Sequence, residues 1–563
     1  MTIQQAFNAT LERRADLPAV GFADIHGNIE WLTTTEFHRE SAVKAAWLSG
    51  FGLERGDVAV LVAADPRFAA TCVCGILQAG AVPLLVAPPA IQGVNSNLEA
   101  VVRNVVERTR AKLVLLPPEM KPEGGTYGGT VPVMGMPADA DVAEAAPEIS
   151  IVVPDPSTTA ALQLTSGTTG FPRICVWRHE QVRAAVDGMA SLMGLTEEDV
   201  HANWTPLYHD MGLVNNFMLC LTRGIPLVLI DPLDFIRRPV VWLKVIHDAK
   251  ATMTWAPNFG YAVAAQRIRE EETAGLRLDH VRGMWNAGEK VHAATFEQFH
   301  QRFEPLGLRW KSLKANFGCA ENVGGATFTA MDEGIVVERV DSKTLFEQRV
   351  ARVVPDDFDG PTTRVVSTGQ GHPALTPHIL DEDGTVLPDG SVGEVGLESP
   401  SRLVEFMGQP DETANTIRGK YLVTGDMGYL RGGELFWTGR KRERINLAGV
   451  KHDPSDFETL LNDVAGLRKG CFVAFGVEDP SIGTQRLCLV CETLDDPGRP
   501  LAEICAEIRR GVATRLGITA GEIALVEKGL LTKTSSGKRR HVHFRERYVN
   551  GEIDCLHRDG VRE

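Results

Sequence analysis

Ala161–Arg173 reads ALQLTSGTTGFPR, an apolar strand-like run that breaks into a loop of Gly, Ser and Thr and ends on an arginine. Glycines let a backbone approach an anion closely, and successive N–H groups and hydroxyls can then donate hydrogen bonds to phosphate oxygens. Arg173 adds a charge-assisted partner. No Lys-Ser or Lys-Thr follows the second glycine, so the loop is not of the Walker type. Taken alone, the same residues would also make an ordinary surface turn.

Outward from this loop, short apolar runs alternate with amphipathic helical patterns: VAVLVAAD, ATCVCGILQAG, VPLLVAPP, LEAVVRNVVERTRA and KLVLLPP. Strand–helix–strand alternation predicts an α/β protein whose parallel sheets are flanked by helices. From Val365 the texture changes. VVSTG, PHILDEDGTVLPDG, GEVGLES, YLVTGD and ELFWTG predict short strands joined by turns, a small antiparallel barrel-like region. Beyond Arg442, DFETLLNDV and LAEICAEIRRGVATRLG predict helices around strands such as CFVAFGV, a small α/β unit. A chain of 563 residues exceeds what one core supports. The expected division is a large N-terminal domain, 1–441, and a small mobile C-terminal domain, 442–563.

Composition narrows the functional classes. Hydrophobic residues at 44% and charged residues at 23% are an ordinary globular mix. A net charge of −15 argues against nucleic acid as a bulk electrostatic partner. The opening MTIQQAFNATLERRADLP has no apolar core of signal-peptide length, which predicts a cytoplasmic protein. Thr71–Ile91 is apolar, but Gly75, Gly80, Pro83, Pro88 and Pro89 interrupt it. A buried helix, a turn and a buried strand are expected there, not a membrane span. Ten cysteines show no disulfide framework. Cys488 and Cys491 fall on a strand-like run, where positions three apart face opposite ways, so they are read as structural and not as metal ligands. GQGHPA at 369–374 mimics a dinucleotide fingerprint but opens no helix, and Ser535–Lys538 mimics a nucleophile motif without its partners.

With further motifs added, the loop gains a specific resemblance. TSGTTGFPR resembles the TSGTTGxPK signature of the adenylate-forming superfamily, with Arg173 in place of the lysine and Ile174 in place of the glycine that commonly follows. NAGEKV (Asn286–Val291), NFGCAEN (Asn316–Asn322), VTGD (Val423–Asp426), GRKRERINLAG from Gly439 and LTKTSSGKRR near the end resemble that superfamily's other segments, in its order. Any one of them could be a surface acid, a turn residue or a solvated cation; the ordered set over nearly the whole chain carries the resemblance.

The resemblance implies an enzyme that joins a carboxylic acid to ATP, forming an acyl-adenylate. It implies that Thr165, Ser166, Gly167, Thr168, Thr169, Gly170 and Arg173 hold the phosphates, and that Gly288, Glu289, Asn316, Phe317 and Gly318 contact adenine. Phe317 stands where an aromatic would stack on the base. Glu321 corresponds to the Mg2+ ligand, a hard oxygen donor suited to that ion. Asp426 corresponds to the acceptor of the ribose hydroxyls, Arg440 to a ribose and phosphate contact, Arg442 to the hinge, and Lys538 to the catalytic lysine that bridges carboxylate and α-phosphate. Cys319 occupies a variable position and is expected to pack.

Several segments are similar to one branch, the fatty-acyl-AMP ligases. These are WTPLYHDMGL (Trp204–Leu213), the helix-like DPLDFIRRPVVWLKVI, APNFGYAVAAQRI, and Val340–Pro355, which resembles that branch's insertion. The branch implies that His209 lines the acyl tunnel near the carboxylate, and that the insertion restrains the rotation needed for CoA. The acyl group would then pass to the phosphopantetheine thiol of an acyl carrier protein. An acyl-CoA synthetase and an amino-acid-type adenylation enzyme share the first half-reaction and remain alternatives. The basic segments Arg440–Lys451 and Lys533–Arg547 are candidate faces for an acidic carrier.

Overall fold

Three helices begin with the same dipeptide. Asp65, Asp231 and Asp453 each accept a backbone N–H with a side-chain oxygen, and Pro66, Pro232 and Pro454 fill the first helical turn, where no amide donor is needed. Pro239 acts in the opposite sense. The stretch DPLDFIRRPVVWLKVI reads as one helix but forms two, Pro232–Arg237 and Val240–Asp248. A residue before proline is pushed off helical backbone, and Arg238 stands at φ −139°, ψ 79°.

The computed structural model describes residues 1–63, 65–88, 98–116, 126–127, 131–135, 153–165, 172–447, 450–479, 484–516, 518–534 and 537–560. Two sheets built mainly of parallel strands form its larger part. The nine-stranded sheet runs, edge to edge, Gln370–Gly371, Gly324–Phe328, Leu313–Cys319, Gly283–Asn286, Met253–Ala256, His201–Asn203, Leu227–Ile230, Pro18–Ala23 and Ile29–Thr33. Its six inner strands are parallel and its edges antiparallel. The seven-stranded sheet includes Leu113–Leu116, Val58–Val62, Val82–Val86, Thr159–Leu164 and Ile174–Arg178 in that order. The inner strands of both sheets are buried on both faces, which is why they read as unbroken apolar runs instead of alternating ones. Thr71–Ile91 resolves, over its described part, into the end of helix Pro66–Gln78 and strand Val82–Val86. No helix among the described residues is long and apolar enough to cross a membrane.

The turn-rich region forms an antiparallel sheet of Thr376–Leu380, Gly393–Glu398, Tyr421–Arg431, Glu434–Arg440 and the short Ile417–Arg418. Within Val340–Pro355, the helix Ser342–Glu347 packs against strand Val450–His452, and the Phe346 ring lies 5.4 Å from the His452 ring. The C-terminal part builds a four-stranded sheet, Leu467–Asp479, Thr484–Thr493, Glu522–Val526 and His557–Asp559, with an apolar cluster on each face. Cys491 belongs to one cluster and Cys488 to the other, so the two thiols do face opposite ways.

Candidate active site

A cavity of about 1140 Å³ opens where the two parallel sheets, the antiparallel sheet and the C-terminal part meet. Arg173, His209, Glu321, Asp426, Arg440 and Lys538 all line it, from four regions far apart in sequence.

Strands Thr159–Leu164 and Ile174–Arg178 form an antiparallel hairpin, and the Gly/Ser/Thr loop is its turn. Thr165 N–H donates to the Arg173 carbonyl at 2.9 Å, closing the loop at its base beside the cavity. Ser166, Gly167, Thr168, Thr169 and Gly170 lie outside the described residues. Ile174 is a fully buried strand residue, so the glycine expected there by resemblance has no loop to serve. The Arg173 guanidinium donates to Glu321 Oε1 at 2.9 Å, stands 3.5 Å from Glu412 Oε2 and covers the Phe406 ring at 4.3 Å.

Strand register places Asp426 opposite Arg440. Asp426 is 4% exposed, and burial raises its carboxyl pKa to about 6; Arg440 and Lys538 pull it down, and Glu321 pushes it further up. Arg440 Nε stands 3.6 Å from Oδ1, beyond hydrogen-bond length, and Oδ1 has no hydrogen-bond partner. Buried acceptors are normally satisfied, so this oxygen is poised for an incoming donor.

Lys538 is held by a tight turn. Thr534 N–H donates to the Lys538 carbonyl at 2.8 Å, and Lys538 N–H donates to Thr534 Oγ1 at 3.0 Å. Gly537, at φ 81°, is pressed against helix Asn258–Arg267, and a Cβ there would fall 2.6 Å from the Phe259 ring. Burial and Arg440 lower the Lys538 pKa, while Asp210, Glu289 and Asp426 oppose them. The balance favours a bound anion, which would stabilise the charged form.

His209 caps a short helical turn; its Nδ1 lies 2.7 Å from Asp210 Oδ1 and 3.2 Å from the Met211 N–H. Burial raises the Asp210 pKa, but His209 and Lys538 outweigh it and the net shift is downward. Gly288, Asn316 and Gly318 line the cavity, and Asn316 Nδ2 donates to the Thr327 carbonyl at 2.7 Å.

Two expected adenine contacts depart from the sequence reading. Phe317 is not part of the cavity wall. It is 2% exposed and packs edge-on against Trp437 at 5.6 Å, because its strand turns that face to the core. Glu289 accepts the Phe259 N–H at 2.8 Å, serving the start of helix Asn258–Arg267, and borders a smaller cavity of about 90 Å³ behind Lys538.

Arg442 lies exposed in the turn between strands Glu434–Arg440 and Ile445–Leu447, and it lines the cavity. Several other members of the two basic segments are paired with acids. Lys441 pairs with Glu394 at 2.8 Å and Arg539 with Glu458 at 3.2 Å. His541 Nε2 lies 2.7 Å from Glu458; burial lowers its pKa, but Glu458 and Glu443 raise it to about 10. Lys441, Arg539 and His541 are thus matched by local carboxylates, while Arg442 stays exposed to meet a partner.

Glu321, the expected magnesium ligand, lines the cavity. Among the described residues, no group of three or more His, Cys, Asp or Glu side chains is arranged to hold a metal. A single cavity-lining carboxylate, here shared with Arg173, suits magnesium, which takes most of its shell from phosphates and water. Cys319 lines the cavity as well, but burial and then Glu321 push its thiol pKa well up, so it is no ready nucleophile.

Two features were missed in the sequence. Lys290, within NAGEKV, reaches the C-terminal part, with its Nζ 3.0 Å from Asp456 and 3.9 Å from Asp453. Leu213–Met218 winds as a π-helix and brings Asn215 to the cavity. The only signal for the second was a pair of asparagines inside an apolar run.

A deep polar cavity with an unpartnered carboxylate oxygen and convergent cations, lined by Thr165 and Arg173 from the two ends of the Gly/Ser/Thr segment, suits a nucleotide-using enzyme. Residues 7–403 match the AMP-binding enzyme family, and the chain belongs to that family. It is 29% identical to a 4-hydroxyphenylalkanoate adenylyltransferase of Mycobacterium marinum, over 94% of this chain and 88% of that one. It is 30% identical to the medium-chain-fatty-acid–[acyl-carrier-protein] ligase JamA of Moorena producens, over 70% of this chain and 69% of that one. A structure solved in work on fatty acyl-adenylate ligases from E. coli and L. pneumophila superposes with a TM-score of 0.89 at 24% identity, covering 98% of both chains. That likeness shows the same fold.

Proposed function

We propose that this enzyme activates a fatty or related carboxylic acid with ATP, releasing pyrophosphate, and passes the acyl group to the phosphopantetheine thiol of an acyl carrier protein. The observation that carries the reading is the convergence of Arg173, Glu321, Asp426, Arg440 and Lys538 on one cavity.

The substrate carboxylate and the α-phosphate are both anions, so their repulsion is the main obstacle. Asp426 Oδ1, unpartnered, accepts from the ribose hydroxyls; Arg440, beside it, reaches the sugar and phosphate. The Gly/Ser/Thr loop and Arg173 hold the outer phosphates. Glu321 would hold magnesium, which when bound would supply charge neutralisation for the pyrophosphate. Lys538 stands between carboxylate and α-phosphate. A carboxylate oxygen bonds to the α-phosphorus as the bond to pyrophosphate breaks, with no net proton transfer. In the second half-reaction the thiol sulfur attacks the acyl carbonyl, its proton leaves, and AMP departs. Arg442, in its exposed turn, is the proposed pivot that withdraws Lys538 between the two steps.

Two observations favour a carrier protein over CoA. The helix of the inserted segment, Ser342–Glu347, is packed on the strand just past the pivot. The relative JamA is itself an acyl-carrier-protein ligase. The test is acid-dependent pyrophosphate release over a panel of carboxylic acids, with CoA and phosphopantetheinylated carrier protein as separate acceptors. Transfer to the carrier alone is expected; transfer to CoA alone would replace the carrier by CoA, and silence with every acid would overturn the whole reading.

A further inference from the structure

Beyond His209 the cavity wall holds a buried side chain to which the proposed reaction gives no task. Asn215 is 3% exposed and lines the cavity. It stands on the π-helical turn Leu213–Met218, a winding that shifts side chains off α-helical register and is frequent at functional sites. The protein fixes which way its amide points. Gly325 N–H donates to Asn215 Oδ1 at 3.1 Å, and an amide nitrogen could not accept that proton. Gly324, at φ +92°, makes the approach feasible, since a Cβ there would come within 2.4 Å of Oδ1. The Nδ2 group, with two protons to donate, has no partner among the described residues and is not sealed from the cavity, unlike Oδ1 of neighbouring Asn216. Around it the wall is close-set backbone and apolar carbon. A Cβ on Gly318 would meet the Gly324 carbonyl at 2.5 Å, and one on Gly288 the Met211 methyl at 3.0 Å.

A donor built this firmly into a pocket wall selects for an acceptor, because a ligand without one leaves it desolvated and unpaired. We propose that Asn215 reads the acid, donating from Nδ2 to a hydroxyl or carbonyl oxygen carried on the chain beyond the carboxylate. The substrate class is then an oxygen-substituted carboxylic acid and not a plain alkyl one. The inference rests on the adenylation reading above and narrows it.

The test is kcat/KM for pyrophosphate release with octanoate and with its mono-hydroxy and mono-oxo derivatives at carbons 3 to 8. At least one derivative is expected to exceed octanoate by about tenfold or more in the wild-type enzyme. Asn215→Leu removes both amide functions, and Asn215→Asp keeps an acceptor for Gly325 while losing the donor; in each, the ratio of derivative to octanoate should fall towards one. A ratio is the readout because a general loss of folding or activity does not move it. Octanoate matching or exceeding every derivative, or a ratio unchanged in both variants, would overturn the role of Asn215 while leaving adenylation intact. Should either variant fail to fold, the wild-type panel decides alone. Silence with all acids would overturn adenylation itself, and this inference with it.

Discussion

Asp426 sits where function and stability pull in opposite directions. Its raised pKa, about 6 against an ordinary 3.8, means that the folded protein binds the proton more tightly than the unfolded chain does. Stability contributed at low pH is therefore lost as pH rises from about 4 through 6, and above that the charged carboxylate costs about 3 kcal/mol. Asp426→Asn should raise resistance to urea at pH 7.5 and give little gain at pH 4, while weakening nucleotide binding. A variant no more stable than wild type at pH 7.5 would contradict this account. Lys538→Ala should slow adenylation by about a hundredfold or more, read as acid-dependent pyrophosphate release, with the fold retained. Near wild-type release would remove Lys538 from the chemistry. At this scale the sequence was a good guide to charged groups in motifs and a poor one to orientation. Phe317 and Glu289 lie in the right segments, but a strand face and a helix start, neither written in the motif, direct them away from the main cavity. Asn215 had no motif, and only the unusual winding of its turn brings it to the wall.

Among the elements, Lys290 makes one of the contacts that join the C-terminal part to the rest. Its ammonium is buried between Asp456 and Asp453. Burial lowers the Lys290 pKa, but the two carboxylates outweigh it and raise it overall. Breaking such a pair from one side leaves uncompensated buried charge, a penalty of about 3–5 kcal/mol. Lys290→Ala should therefore loosen the docked arrangement, giving faster trypsin cleavage in the turn Lys441–Arg444 and slower adenylation. Equal cleavage and equal rates would exclude a docking role. Gly439 belongs to the same joint. At φ +131°, a Cβ there would fall 1.6 Å from Asp453 Oδ2, so no side chain fits. The elements themselves were largely legible. Apolar runs marked buried strands, and amphipathic spacing marked helices. The π-helix and the break at Pro239 were not seen, the first because no periodicity signals it and the second because apolar spacing continues across the proline.

For the whole molecule, the α/β plan, the antiparallel region and the family were readable from motif order, because each motif must sit at a strand end or turn facing one cavity. What could not be read was the meeting of the parts, which depends on contacts between residues more than a hundred positions apart, such as Arg173–Glu321 and Lys290–Asp456. The cavity has walls from the large sheets and a roof from the C-terminal part, with Lys533, Thr534, Lys538 and Arg540 on the roof. The C-terminal sheet also has apolar clusters of its own. Heated without ligand, the protein should melt in two steps, the C-terminal part separating from the rest. A nucleotide that touches wall and roof together binds only the joined form, and at a hundredfold excess over its Kd it adds about 2.7 kcal/mol to that form. Differential scanning calorimetry with saturating ATP should therefore show the two transitions drawn into one, and two unshifted peaks would mean that the nucleotide never touches the roof. In that sense the substrate is also a rivet, and the enzyme is most nearly a single cooperative body while it is at work.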